Sequence, residues 1–171
     1  MKYLIIDANI ARSCNDPADN ADAASCFLFL QHVGKRENST GVVVNAEIER
    51  EWDIHANRTF TAWYAKMERR SRVKYVDVKH SNDYRAIISA VDNDGVRSAL
   101  QKDVHLVELA LFGQHPVASR DDKQRRYVRS LIGQYSLLRG IQWVNPVTES
   151  GWDAWLNRGC DRDGYLLTAA E

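Results

Sequence analysis

Apolar runs alternate along the chain with polar, turn-forming stretches, and the runs switch between strand-like and helix-like spacing. Tyr3-Leu4-Ile5-Ile6 is a short apolar run followed by Asp7-Ala8-Asn9, the pattern of a strand buried on both faces with a carboxylate at its C-terminal end. Asn9 to Asn20 is small and polar, contains Asp16-Pro17, and reads as a loop leading to a helix near Ala21. Ala24, Phe27, Leu28 and Leu30 carry that helix to Val33-Gly34, and Lys35 to Gly41 is a second loop. Val42-Val43-Val44 is a second buried strand, with Asn45 as helix cap. Ile48, Trp52, Phe60, Trp63 and Met67 fit a 3.6-residue period, so Asn45 to about Arg70 reads as one long amphipathic helix with a potential break around Asn57. Val73 to Val78 is a minor strand or an extended connection. Tyr84, Ile87, Ile88 and Val91 mark a helix stopped by Asp92-Asn93-Asp94-Gly95, and a further helical region runs from Gly95 to Phe112, closed by Gly113. Pro116 to Ser119 reads as a third strand. A helix carrying Val128, Leu131, Ile132, Tyr135 and Leu138 follows, then a fourth strand, Ile141 to Val144, ended by Asn145-Pro146. Beyond Gly151, Trp152, Trp155 and Leu156 suit a short helix, and Arg158 to Glu171 has a weak pattern. Strands alternating with helices imply crossover connections, hence an α/β fold with a mainly parallel sheet covered on both faces.

Composition changes this picture little. A length of 171 residues, 44% of them apolar and 27% charged, suits one domain with an ordinary core. The 23 basic and 23 acidic residues cancel, so attraction to a nucleic acid must come from local patches. Cys14, Cys26 and Cys160 are odd in number and have no CxxC spacing, and no signal peptide opens the chain; free thiols in a reducing cytoplasm are the expectation. No apolar run approaches the roughly 20 residues of a membrane helix.

The acidic residues carry the chemistry. Asp7 and Asp121 each follow an expected strand, Glu51 lies in the second turn of the helix after Val44, and Asp103 begins the apolar helical stretch before the third strand. Ligands of open α/β sheets bind outside the carboxyl ends of the strands, so these four are expected at one edge. Like charges about 4 Å apart repel by roughly 4 kcal/mol at an effective dielectric near 20, a penalty that a bound cation relieves. Carboxylates without thiolate or imidazole clusters favour Mg²⁺ or Mn²⁺. Glu47, Glu51 and His55 share one helical stripe. Glu47 suits a helix N-terminus better than a ligand role, and His55 without a second His at ligand spacing is a poor basis for zinc. Asp94 and Asp122 read as helix-start residues. Lys123, Arg125 and Arg126 follow the fourth acid, Arg120 stands just before it, and together they form a basic rim for phosphates, in contrast to the Lys66 to Lys74 run, which reads as a solvated face.

These motifs resemble the PIN domain nucleases, a family that includes the VapC-type toxins. Leu4-Ile5-Ile6-Asp7-Ala8-Asn9-Ile10 resembles the family's first strand and its Asp; Asn45 with Glu51-Trp52 resembles the second-acid helix; Asp103 to Leu111 is similar to the third-acid helix; and Val117-Ala118-Ser119-Arg120-Asp121 resembles the last strand motif. The ordered match covers residues 1–146. It implies a PIN-like three-layer α/β/α sandwich with four or five strands, a nuclease domain over 1–146, and a C-terminal extension over 147–171 packed on or peripheral to it. It also implies a metal-dependent endoribonuclease in which Asp7, Glu51, Asp103 and Asp121 hold one or two Mg²⁺ (or Mn²⁺) ions and hydrolyse RNA, with Asn9 and Ser119 orienting the ligands. RNA is the implied substrate, and a cognate antitoxin and a second copy of the chain are the implied protein partners. Two other readings stand beside it: a non-catalytic nucleic-acid or partner-binding module of PIN type, and an aspartate-dependent phosphatase with Asp7 as nucleophile, against which Asn9 stands where a second Asp is usual.

Overall fold

The first strand, β1 (Lys2–Ile6), lies at the centre of the sheet, as its uninterrupted apolar sequence requires: Leu4, Ile5 and Ile6 are fully buried. The computed structural model describes residues 1–15, 20–35, 37 and 40–168. After β1 come α1 (Ala8–Ser13), α2 (Ala21–Val33), β2 (Thr40–Val44), α3 (Ala46–His55), α4 (Arg58–Arg69), β3 (Val73–Tyr75), α5 (Asn82–Ser89), α6 (Asp94–Lys102), α7 (Val104–Gly113), β4 (Val117–Ala118), α8 (Asp122–Ser130), a 3-10 turn (Ser136–Gly140), β5 (Trp143–Val144) and α9 (Trp152–Asn157). The five strands are all parallel, in the order β3-β2-β1-β4-β5, and the helices flank them in three α/β/α layers. The α/β fold with four or five strands is therefore the one expected from the sequence.

This strand order creates the feature on which the site depends. The chain builds outward from β1 to β2 and β3, then crosses back to lay β4 on the other side of β1. Where order reverses, the connections leaving adjacent strands diverge and open a crevice at their carboxyl ends. Asp7 leaves β1 and Ser119 leaves β4 at that point. Gly41 in β2 permits close approach, because an added Cβ would meet the Arg72 carbonyl oxygen at 2.6 Å.

Three expectations change, and the potential break around Asn57 is realised. Asn9 to Ser13 is not loop but most of α1, whose N-cap is Asp7; the helix is short and buries Ala8, Ile10 and Ala11, too few apolar positions to show a helical period against polar neighbours. The long helix after Asn45 is two helices, broken where Asn57 turns its side chain to cap α4. The helical region before β4 breaks at Asp103, which ends α6 and begins α7. The helix after Asp121 stops at Ser130, and the remainder to Leu138 runs through turns into the 3-10 turn. The Asp16-Pro17 turn and parts of the Lys35 to Gly41 loop lie outside the described residues.

The segment after Pro146 belongs to the same core as far as it is described. Trp155, Leu156, Cys160 and Leu167 are buried in the cluster that contains β1. Leu167 donates its N–H to the Ile141 carbonyl at 3.0 Å, Trp143 donates to Tyr165 at 2.7 Å, and Trp152 packs edge-on against Phe29 of α2. Among the described residues no helix is long and apolar enough to cross a membrane.

Candidate active site

At the reversal point a small hydrogen-bond network fixes the first acid. The Asp7 carboxylate accepts from the Asn9 backbone N–H (3.1 Å), from Asn9 Nδ2 (2.8 Å) and from Ser119 Oγ (2.6 Å). Ser119 Oγ spends its one proton on Asp7 and accepts from Asn9 Nδ2 at 3.0 Å and from the Asp121 N–H at 3.0 Å. Asn9 Oδ1 in turn accepts from the Arg120 N–H at 3.0 Å. Three elements, β1, α1 and the β4 exit, are thus locked around one carboxylate. Asn9 and Ser119, expected to orient the ligands, both touch Asp7 directly.

The other three acids arrive on different elements. Asn45 caps α3 through the Ile48 N–H, and Trp52 Nε1 donates to the Ile6 carbonyl at 3.0 Å, which pins that helix over the end of β1. Glu51, the neighbour of Trp52, is thereby held at the crevice. Asp103 stands at the α6–α7 junction, where its side chain caps neither helix. Asp121 caps α8 by accepting from the Gln124 N–H at 2.8 Å. Asp7, Glu51, Asp103 and Asp121 line one cleft of about 190 Å³, together with Asn9, Arg12, His55 and Lys102. Glu47 does not line it, so the choice between the two glutamates falls to Glu51; Asp122 turns away to Thr148.

The electrostatics show how closely the acids are coupled. Burial, and next the neighbouring Asp7, push the Asp103 carboxyl up to about 6. Asp7 is also raised, by burial first and by Glu51, against the lowering effect of its bonds to Ser119 and Asn9. Burial alone would raise Glu51 too, but His105 on α7 overrides it and holds the carboxyl below its ordinary range. His105 Nε2 lies 3.3 Å from Glu51 Oε2, an ion-pair contact off the line of a good hydrogen bond.

Hard oxygen donors that repel one another fit a hard divalent cation. In this conformation no three His, Cys, Asp or Glu side chains among the described residues are near enough to share an ion. Asp7 is tied to Asn9 and Ser119, and one Asp121 oxygen is committed to its helix cap. Mg²⁺ keeps several of its waters and is commonly held by only one or two carboxylates directly, so the donor set fits such an ion with water completing the shell.

The basic residues expected from the sequence to form a rim do not line the cleft itself. Arg120 binds Ser13 and Asp22, Arg125 pairs with Glu149 at 2.9 Å, Lys123 sits over the Tyr127 ring, and Arg126 is exposed on α8; none of the four lines the cleft. For Lys123, Arg125 and Arg126 the reason is helical phase: Asp121 is the N-cap, so the next turns of α8 carry these side chains away from the crevice, while Arg120, before the cap, is drawn to Asp22. Arg12 and Lys102 line it instead. Arg12 was missed because its helix was read as loop; as a helical residue it lies three positions from Asn9, on the same side. His105 was missed inside an apolar stretch, where a lone polar residue is the available signal.

The fold and the cleft together define a class: a parallel α/β protein with an acidic site at its topological switch point. Comparison with family models, with curated proteins and with solved structures finds no match for the chain.

Proposed function

We propose that the chain is a divalent-metal-dependent endoribonuclease of the PIN type. The observation that carries this reading is the meeting of four carboxylates, from four separate elements, in one cleft at the reversal point of a parallel sheet. Asp7, Glu51, Asp103 and Asp121 would hold Mg²⁺ or Mn²⁺, one or two of them directly and the others through the ion's waters. When bound, the ion supplies Lewis acidity that activates water and neutralises the transferring phosphoryl group. Asn9 and Ser119 keep the Asp7 carboxylate aimed at the cleft. Arg12 and Lys102 attract the phosphodiester into a site whose carboxylates would otherwise repel it. Single-stranded RNA is the favoured substrate, since its backbone enters a narrow cleft without unpairing. A cognate antitoxin, a second copy of the chain and a cytoplasmic setting belong to the same proposal.

The test is cleavage of a labelled single-stranded RNA by the purified protein with Mg²⁺ or Mn²⁺. Cleavage should stop on adding EDTA and should be poorly restored by Ca²⁺, whose looser coordination seldom supports this chemistry. Cleavage that continues unchanged in EDTA would remove the metal from the mechanism.

A further inference from the structure

The helix α7 is buried at every position from Val104 to Ala110, and five of those seven side chains are apolar. The two exceptions, His105 and Glu108, are one helical turn apart. Glu108 is fully accounted for: it accepts from both Arg85 Nε (2.7 Å) and Arg85 Nη2 (2.8 Å), and from the Ser81 N–H at 2.7 Å. These bonds fasten α7 to α5 and leave it no part in the cleft.

His105 differs. It is buried, and among the described residues its close polar contact is Glu51 of α3, whose Oε2 lies 3.3 Å from His105 Nε2 but off the line of a good hydrogen bond. A polar ring in such a position is unfavourable unless it is engaged. Leucine would fill the same place without that penalty. What the ring provides is control over one oxygen of a carboxylate that lines the cleft. Glu51 makes no hydrogen bond with its other oxygen to another described residue, and its side chain is a quarter exposed. Left alone, a glutamate with three rotatable bonds would turn that carboxylate freely.

We propose that His105 is a positioning residue that holds Glu51 Oε2 through its Nε2, so that Glu51 offers Oε1 to a divalent cation in the cleft. This rests on the metal-dependent reading above. It assigns the second acid a single-oxygen role and gives it a partner of the kind that Asn9 and Ser119 provide for Asp7. Partners that orient metal-binding side chains typically contribute 10- to 100-fold in metal affinity.

Mn²⁺ binding to the RNA-free protein, measured by titration calorimetry, tests this with three substitutions. His105→Gln places an amide N–H near the former Nε2 and should bind Mn²⁺ within about threefold of wild type. His105→Asn, whose amide is too short to reach Oε2, and His105→Leu, which has no donor, should each bind at least about tenfold more weakly. In a Glu51→Gln background the same changes should have no further effect, because the residue they act through is gone. Equal losses in the Gln and Asn variants, or losses that persist undiminished in the Glu51→Gln background, would overturn the assignment. The Gln and Asn pair suffices if the Leu variant does not fold. Wild type that binds no Mn²⁺ would overturn the metal reading and this inference together, whereas normal wild-type binding with unaffected variants would overturn this inference alone.

Discussion

Asp103 ends one helix and starts the next, yet its carboxylate caps neither, and burial beside Asp7 raises it to about 6. Between its ordinary value of 3.8 and about 6, the folded protein holds a proton that the unfolded chain has released. The folded state is therefore favoured in acid, and that contribution is lost as the pH rises through this window. Asp103→Asn removes the effect. In EDTA the variant should match wild type near pH 4 and gain on it up to about pH 6, by at most about 3 kcal/mol, since one unit corresponds to about 1.4. Urea unfolding at several pH values measures this, and an advantage that does not grow with pH would take Asp103 out of the cluster. In the proposed metal-dependent reaction the same change deletes a donor, so stabilisation by Mn²⁺, about 2.7 kcal/mol at one hundred times the dissociation constant, should shrink, and RNA cleavage should fall by orders of magnitude.

At the scale of elements, the junctions hold the site together. Asn57 makes three strong bonds where α3 gives way to α4, besides accepting a weak one from Cys14 Sγ: its Oδ1 caps α4 through the Phe60 N–H at 2.9 Å, and its Nδ2 donates to the Arg12 carbonyl at 3.1 Å and to Asn15 Oδ1 at 2.7 Å. Asn57→Ala loses the cap and both ties to the end of α1. A cap alone is worth about 0.5 to 2 kcal/mol, so a loss near 2 kcal/mol in urea unfolding is expected, with m unchanged; a loss within error of zero would mean that solvent replaces all three bonds. Sequence pattern located this junction because an Asn interrupts two apolar stripes. It missed α1, where small residues serve a helix pressed against β1, and it missed the break at Asp103, where the apolar spacing runs on undisturbed. Local pattern records which faces are buried; it does not record that a helix must turn to bring a carboxylate to an edge.

For the whole molecule, 23 positive and 23 negative charges leave no formal net charge, so affinity for RNA depends on which cations face the acidic cleft. Arg12 and Lys102 do, whereas Arg125 is engaged with Glu149. Replacing both Arg12 and Lys102 by alanine should weaken RNA binding and reduce the salt slope by about 1.4, roughly 0.7 for each phosphate contact on a single strand. Arg125→Ala with Arg126→Ala should change the slope by less. Fluorescence anisotropy between about 50 and 200 mM salt distinguishes them, and the reverse ranking would return the phosphate contacts to α8.

The alternation of buried runs with amphipathic stretches was enough to determine a parallel α/β sheet, because both-face burial and crossover helices leave few other arrangements. The residues at the ends of those runs were enough to nominate Asp7, Glu51, Asp103 and Asp121, since the carboxyl ends of parallel strands share one edge. The tertiary structure decided the rest. The return of the chain to the far side of β1 makes the crevice, and that is a property of strand order, to which hydrophobic periodicity is blind. Only packing brings Arg12 and Lys102 to the cleft in place of the α8 arginines and sets His105 against Glu51 across 54 positions of sequence. Such contacts depend on helix phase and on the meeting of distant elements, and neither is encoded within any one stretch of the chain.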